Sequence, residues 1–260
     1  MLDFNEFFSL IESLAPLKLS ELSIADGGYD NSGVIVKNSQ EVEKVLFTLD
    51  LSRDSVDKAI ELGCDTIITH HPAIYYPIKS LSIDNQSAPL LTAIKNGISI
   101  ISMHLNLDIA SGGIDQTLAQ EIGGKVERII ELVDGEHGYG RICSVDTDFS
   151  ALVERVKKVL GTDKVVAYGS GKCHKTASFC GGGGSHALKA VLSDSLEADV
   201  IITSDLAHHE IKEIIEKDKK LIIIPHYASE QLGFSRFMEV VKELVKDSAI
   251  LHYFQDKRFM

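Results

Sequence analysis

Residues 45–72 read VLFTLDLSRDSVDKAIELGCDTIITHHP, and this stretch decides the fold. Val45–Leu49 is a short apolar run of the kind that forms strands, and Thr66–Thr69 is a second, rich in β-branched residues. Between them Asp54–Leu62 carries a helical period that Gly63 is placed to stop. Strand, helix and strand in succession imply a parallel pair of strands covered by a helix.

The alternation continues outward. Gly33–Val36, Ile98–Met103, Val165–Tyr168, Val200–Thr203 and Leu221–Ile224 read as further strands. Leu90–Asn96, Ser150–Leu160, His186–Leu196, Ala207–Lys217 and Glu230–Val245 read as helices, with Gly97 and Gly161 as further stops. Strands as continuously apolar as Ile98–Ile101 and Leu221–Ile224 suit a sheet buried on both faces. The fold class is therefore α/β, with largely parallel or mixed sheets covered by helices. A turn-rich interval from Gly123-Gly124 to Gly135-Glu136-His137-Gly138 separates two sets of strand–helix units. Two lobes are expected, a discontinuous first one over 1–125 and 222–260 and a second over 126–221.

Composition narrows the function classes. The 260 residues are 44% hydrophobic and 25% charged, ordinary for a folded globular chain. A formal charge of −12 offers no broad basic footprint for nucleic acid or an anionic membrane. No apolar run approaches the roughly 20 residues of a spanning helix, and the acidic start Met1-Leu2-Asp3-Phe4-Asn5-Glu6 is unlike a secretory signal. Cys64, Cys143, Cys173 and Cys180 show no paired spacing, which fits reduced thiols in a cytoplasmic protein. Cys173, His174, Cys180 and His186 are near enough in sequence to suggest a separate zinc site, but their spacing matches no zinc motif, and buried thiols are the simpler reading.

The polar residues collect where the strands end, the edge at which open parallel sheets bind ligands. Asp50 follows the first quoted strand and His70-His71-Pro72 the second; His104 to Asp108 follow Ile98–Met103. Ser204-Asp205 with His208-His209 follow Val200–Thr203, and His226 to Glu230 follow Leu221–Pro225. Imidazoles mixed with carboxylates suit a borderline divalent cation: zinc, manganese, iron, cobalt or nickel. His226 and Glu230, four apart, share a face if a helix starts there. The ligand candidates are His70, His71, Asp108, His226 and Glu230, with His104, Asp205, His208 and His209 competing. A single loop histidine is most often solvated or bonded to backbone; recurrence at three strand ends is what favours a metal. Separately, Gly181-Gly182-Gly183-Gly184-Ser185 before the helix at His186 reads either as an anion-binding loop or as a tight packing turn.

In this order, His70-His71-Pro72 with Pro77-Ile78-Lys79, His104-Leu105-Asn106-Leu107-Asp108, Gly181–Ser185, Thr203-Ser204-Asp205 with His208-His209, and His226 with Glu230 form a pattern. With Tyr29-Asp30-Asn31-Ser32-Gly33, the sequence resembles the NGG-one-interacting-factor-three-like family, also labelled GTP cyclohydrolase I type 2. The resemblance covers Tyr29 to Glu230. It departs at Tyr29, where relatives often carry tryptophan, at Ser204, where they often carry glycine, and in lacking the inserted domain of longer members.

The resemblance implies two α/β lobes with a metal site in the cleft between them and a ring-shaped homohexamer. It implies two divalent ions per chain, one served by His70 and His226, the other by His71 and Asp108, with Glu230 bridging. The activity it implies is hydrolytic opening of the guanine imidazole ring of GTP, with His104 and His209 as candidate proton carriers. The alternatives are another hydrolase of a phosphorylated metabolite and a non-catalytic metal-binding or regulatory protein, because function belongs to sites rather than folds.

Overall fold

A computed structural model describes residues 1–24, 28–193 and 196–260. They divide into two units, Met1–Leu107 with Phe234–Asp256 and Asp108–Gly233 with Lys257–Met260. In chain order the first unit begins with β1 (Leu2–Asp3), α1 (Phe4–Leu14), α2 (Leu17–Ser23), β2 (Gly33–Val36), β3 (Glu41–Val42) and β4 (Lys44–Thr48). It continues through α3 (Arg53–Leu62), β5 (Thr66–Thr69), α4 (Ala88–Lys95) and β6 (Ser99–Ser102). After α5 (Leu105–Ile109) come α6 (Ile114–Glu121), β7 (Lys125–Leu132), β8 (Gly138–Asp148), α7 (Phe149–Leu160), β9 (Val166–Tyr168) and β10 (Lys172–Ser178). Then follow α8 (Gly184–Leu192), β11 (Val200–Thr203), α9 (His208–Glu216), β12 (Lys220–Ile223), α10 (His226–Val245) and β13 (Ile250–Tyr253).

The first unit's sheet runs β13-β4-β5-β6-β2, parallel except for β2. The α3 helix between β4 and β5 is specified at both ends. Ser52 and Ser55 exchange hydrogen bonds at its start, Ser55 N–H to Ser52 Oγ (3.1 Å) and Ser52 N–H to Ser55 Oγ (2.8 Å). Gly63 ends it at φ +68°, a left-handed turn that glycine adopts at no steric cost. Its inward residues Val56 and Ala59 pack with Leu46, Ile67, Leu90, Ala93 and Ile100 into one core. On the unit's own helical return, Phe234 and Phe237 meet Phe47 of β4, with ring centroids 5.9 and 6.1 Å apart.

The second unit's sheet is mixed, in the order β7-β8-β10-β11-β12-β9, with β10, β11 and β12 parallel. Ile142, Ala177, Phe179, Ala187, Val191, Ile201, Ile214 and Leu221 form its core. The sheets are thus largely parallel in one unit and mixed in the other, with helices between strands. The turn-rich interval 123–138 contains a strand that sequence periodicity missed. β7 (KVERIIEL) has charges between its apolar residues and no fully buried position, because it lies at the sheet's edge. The helices at His186 and Glu230 also differ from expectation: the first ends at Leu192, and the second starts one turn early, at His226.

The β7–β8 connection is closed by Asp134, whose Oδ1 accepts from the N–H groups of Glu136 and His137, both at 2.7 Å. Those amides, with help from the His137 side chain, hold the carboxyl at about 2, below its ordinary 3.8. Being depressed, it contributes stability above the unfolded value that is lost as pH falls through about 2. An NMR titration is expected to place the Asp134 midpoint at about 2; a midpoint near 3.8 would mean the turn is open in solution.

Candidate functional site

Parallel register in the first unit brings three strand ends level. Thr48 pairs with Thr69, and Thr69 with Ser102. The residues just beyond, Asp50, His70, His71 and His104, therefore emerge along one edge. His70 is fully buried; its N–H reaches the carbonyls of Thr48 and Leu49, and its Nδ1 lies 2.8 Å from the Met103 carbonyl oxygen. His71 Nδ1 lies 2.7 Å from Asp50 Oδ1, and His104 Nδ1 lies 2.7 Å from Asp30 Oδ1. An oxygen acceptor at Nδ1 keeps the proton on that nitrogen and turns Nε2 into the outward-facing donor to a cation. Ligand atoms of His70, His71 and His104 all lie within 4.8 Å of one another. Behind His104 the Asp30 side chain is 1% exposed. Burial opposes its ionisation, but hydrogen bonds from His104, Ser20 and Ser32, with the charge of His104, hold it at about 2.

In the second unit Asp108, Asp115, Cys180, His226 and Glu230 come together. Because α10 starts at His226, the His226–Glu230 spacing of four falls on one helix face, and His226 Nε2 sits 2.9 Å from Glu230 Oε1. His226 Nδ1 lies 2.5 Å from Asp205 Oδ2, repeating the anchoring of the other three imidazoles. Burial would lower the His226 pKa; the carboxylates of Glu230 and Asp205 overcome that and raise it to about 9. Asp205 holds a left-handed backbone at φ +54°. Glu230 is 2% exposed and Asp108 7%, and carboxylate oxygens of the two lie within 4.8 Å. Like charges that close in a poorly hydrated place disfavour each other unless a cation or a shared proton offsets them.

The glycine loop explains how Glu230 is seated. Gly181 has φ +41°, and a Cβ built on it would fall 1.8 Å from Glu230 Oε1. Its N–H donates to Ser229 Oγ (2.8 Å), and the Ser204 hydroxyl donates to its carbonyl. Cys180 N–H donates to Asp115 Oδ1 and Gly183 N–H to the Cys180 carbonyl. These three amides are engaged inside the fold, which serves the packing role. Cys180, read from sequence as a small buried hydrophobe, also places its thiol 3.5 Å from Asp108 Oδ1. Burial, then the charges of Asp108, Asp115 and Glu230, raise its pKa well above 9.0, so it stays a protonated donor.

Other sequence candidates fall elsewhere. His208 and His209 are exposed on the first turn of α9 and belong to no close ligand group among the described residues. His186 Nδ1 bonds Glu131 Oε2 at 2.9 Å, Cys173 is buried in β10, and no group uniting Cys173, His174, Cys180 and His186 occurs among the described residues. Asp115 carried no spacing signal, since its partners are backbone amides 25 and 65 residues away. The donors in both units fit a divalent cation: imidazoles with Nδ1 held by oxygen, plus buried carboxylates, without a thiolate.

A family model described as Duf34/NIF3 (NGG1p interacting factor 3) matches residues 2–258. The chain is 28% identical over 246 residues to a "GTP cyclohydrolase 1 type 2 homolog" of Clostridium perfringens, covering 92% of this chain and 91% of that one. It is 33% identical over 187 residues to a protein of the same description from Lactococcus lactis, covering 69% and 71%. The crystal structure of Staphylococcus aureus protein SA1388 matches with a TM-score of 0.86 at 22% identity, over 100% of this chain and 99% of that one. At that identity the likeness speaks to the fold.

Proposed function

The chain belongs to the Duf34/NIF3 (NGG1p interacting factor 3) family, and on that premise we propose a metal-dependent hydrolase that opens the guanine imidazole ring of GTP. In this reading His70, His71, Asp108, His226 and Glu230 hold two divalent cations. The observation that carries it is the anchoring of the three ligand histidines His70, His71 and His226, each through Nδ1 to an oxygen acceptor. The printed description of the Clostridium perfringens and Lactococcus lactis relatives supplies the choice of GTP.

Bound cations would supply Lewis acidity toward water and toward an oxygen gaining negative charge. The chain's own residues do the remaining work. Glu230 and Asp108 offer buried carboxylates as ligands, and Gly181 keeps the space Glu230 needs. His104, held at Nδ1 by Asp30, would take a proton at Nε2 and return it to the nitrogen released on ring opening. His209 is the second candidate proton carrier, supported by its place after β11 and an exposed imidazole. A ring-shaped homohexamer and a cytoplasmic location, with four buried free cysteines, belong to the same reading. No helix among the described residues is long and apolar enough to cross a membrane.

Elemental mass spectrometry on the untagged protein beside Glu230→Ala, followed by GTP turnover with metal restored, tests the proposal. About two metals per chain in the wild type, at least half of them lost in the variant, is the expected result, with turnover falling at least 100-fold, the loss typical of disabling a catalytic metal site. A wild type with no metal above background, prepared aerobically or anaerobically, would sink the reading; a metal-loaded wild type that leaves GTP intact would remove the cyclohydrolase step.

A further inference from the structure

Next to the histidine cluster the first unit exposes a group of aromatic rings. Tyr29, Tyr75 and Tyr76 are 40%, 37% and 68% exposed. They form a cluster: Tyr29 stacks on Tyr76 with centroids 5.6 Å apart and planes 24° from parallel, and Tyr75 stands edge-on to Tyr76 at 4.7 Å. Two hydrogen bonds hold their loops together, from the Tyr75 hydroxyl to the Tyr29 carbonyl (3.2 Å) and from Asn31 Nδ2 to the Ile74 carbonyl (2.6 Å). On its other side Tyr75 meets His104, ring centroids 6.1 Å apart. Tyr75 and Tyr76 also form one wall of a groove of about 610 Å³, within the size range of small-molecule sites, whose described lining carries one cation, Lys79.

We propose that Tyr29, Tyr75 and Tyr76 form a stacking platform for the planar base of a nucleotide, with Lys79 in the groove facing its phosphate. Grouped aromatic faces on loops tied by side-chain-to-backbone hydrogen bonds accept a flat heteroaromatic ring at little entropic cost. The edge contact between Tyr75 and His104 puts such a base one side chain away from the candidate proton carrier. The platform deepens the hydrolase reading and rests on it for the choice of guanine; stacking itself needs no metal.

The test is calorimetric titration of the full chain, with and without chelator, using guanosine 5′-monophosphate and ribose 5-phosphate, which differ only in the base. Wild type is expected to bind the nucleotide at least about tenfold tighter than the sugar phosphate, chelator or not, in line with the usual strength of base–aromatic stacking. Tyr76→Phe should keep that preference and Tyr76→Ala should erase it, with ribose 5-phosphate binding unchanged. Equal binding of the two ligands by wild type, or a preference surviving in Tyr76→Ala, overturns the platform. So does a change in molecular mass of Tyr76→Ala by light scattering, which would assign the rings to contact with a second copy. Base binding by a protein that holds no metal as purified, before any chelator, would leave the platform standing and the hydrolase reading fallen.

Discussion

Replacing Asp115 by alanine is expected to cost about 2–6 kcal/mol of unfolding free energy, about 1–3 kcal/mol for each of the two buried amides it would strand. Asp115 is 1% exposed and accepts from Gly140 N–H and Cys180 N–H, both at 2.7 Å. Nearby Arg141, 2% exposed, donates to the carbonyls of Gly138 and Gly140. Burial raises the Asp115 pKa against the pull of Arg141 and of the two amides, and the guanidinium keeps its charge. Alanine would strand the two amides and remove a nearby acidic group from the guanidinium, which keeps its bonds to the Gly138 and Gly140 carbonyls. Denaturant unfolding of Asp115→Ala, Arg141→Met and the double variant separates the two losses. If the two groups attract across the pocket, the double variant is expected to lose less than the sum of the single losses. A loss below about 1 kcal/mol in Asp115→Ala, the scale of a surface substitution, would show that water reaches the pocket.

The same residue marks where sequence reading stops. The parallel core of the first unit was legible because β4, α3 and β5 each follow one rule: apolar strands, a helical period, a glycine stop. Register then does what sequence order alone cannot. Thr48, Thr69 and Ser102 align, so residues 20 to 35 apart in the chain, Asp50, His71 and His104, come to one edge. The histidines were visible as polar residues after strands. Their anchors were not, because the Met103 carbonyl is backbone and Asp30 sits 74 residues from His104.

In the second unit the apolar strands β11 and β12 were legible and the more polar β7, β8 and β10 were not. β10 (KCHKTAS) buries Cys173, Thr176, Ala177 and Ser178, small residues that carry no strong hydrophobic alternation. The earlier start of α10 matters most for the site. The sequence left the helix start open between His226 and Glu230; with His226 at the start, it is bound to one orientation relative to Glu230 by the period of the backbone.

Gly181→Ala is expected to lower stability by about 2–5 kcal/mol, adding a left-handed backbone penalty of about 1–2 kcal/mol to steric strain of about 1–3 kcal/mol. The new methyl would meet Glu230 Oε1 at 1.8 Å, Cδ at 2.8 Å and Cγ at 3.2 Å. The loop cannot back away cheaply, since Ser229 and Ser204 hold the Gly181 N–H and carbonyl. The carboxylate must therefore turn from His226, and metal content should fall as far as in Glu230→Ala. Combining the two substitutions tells clash from backbone strain. If the clash dominates, Gly181→Ala in a Glu230→Ala background costs only the left-handed penalty of about 1–2 kcal/mol. An undiminished cost in that background would place the strain in the turn itself, and metal retained by Gly181→Ala alone would show that Glu230 has another position from which to bind.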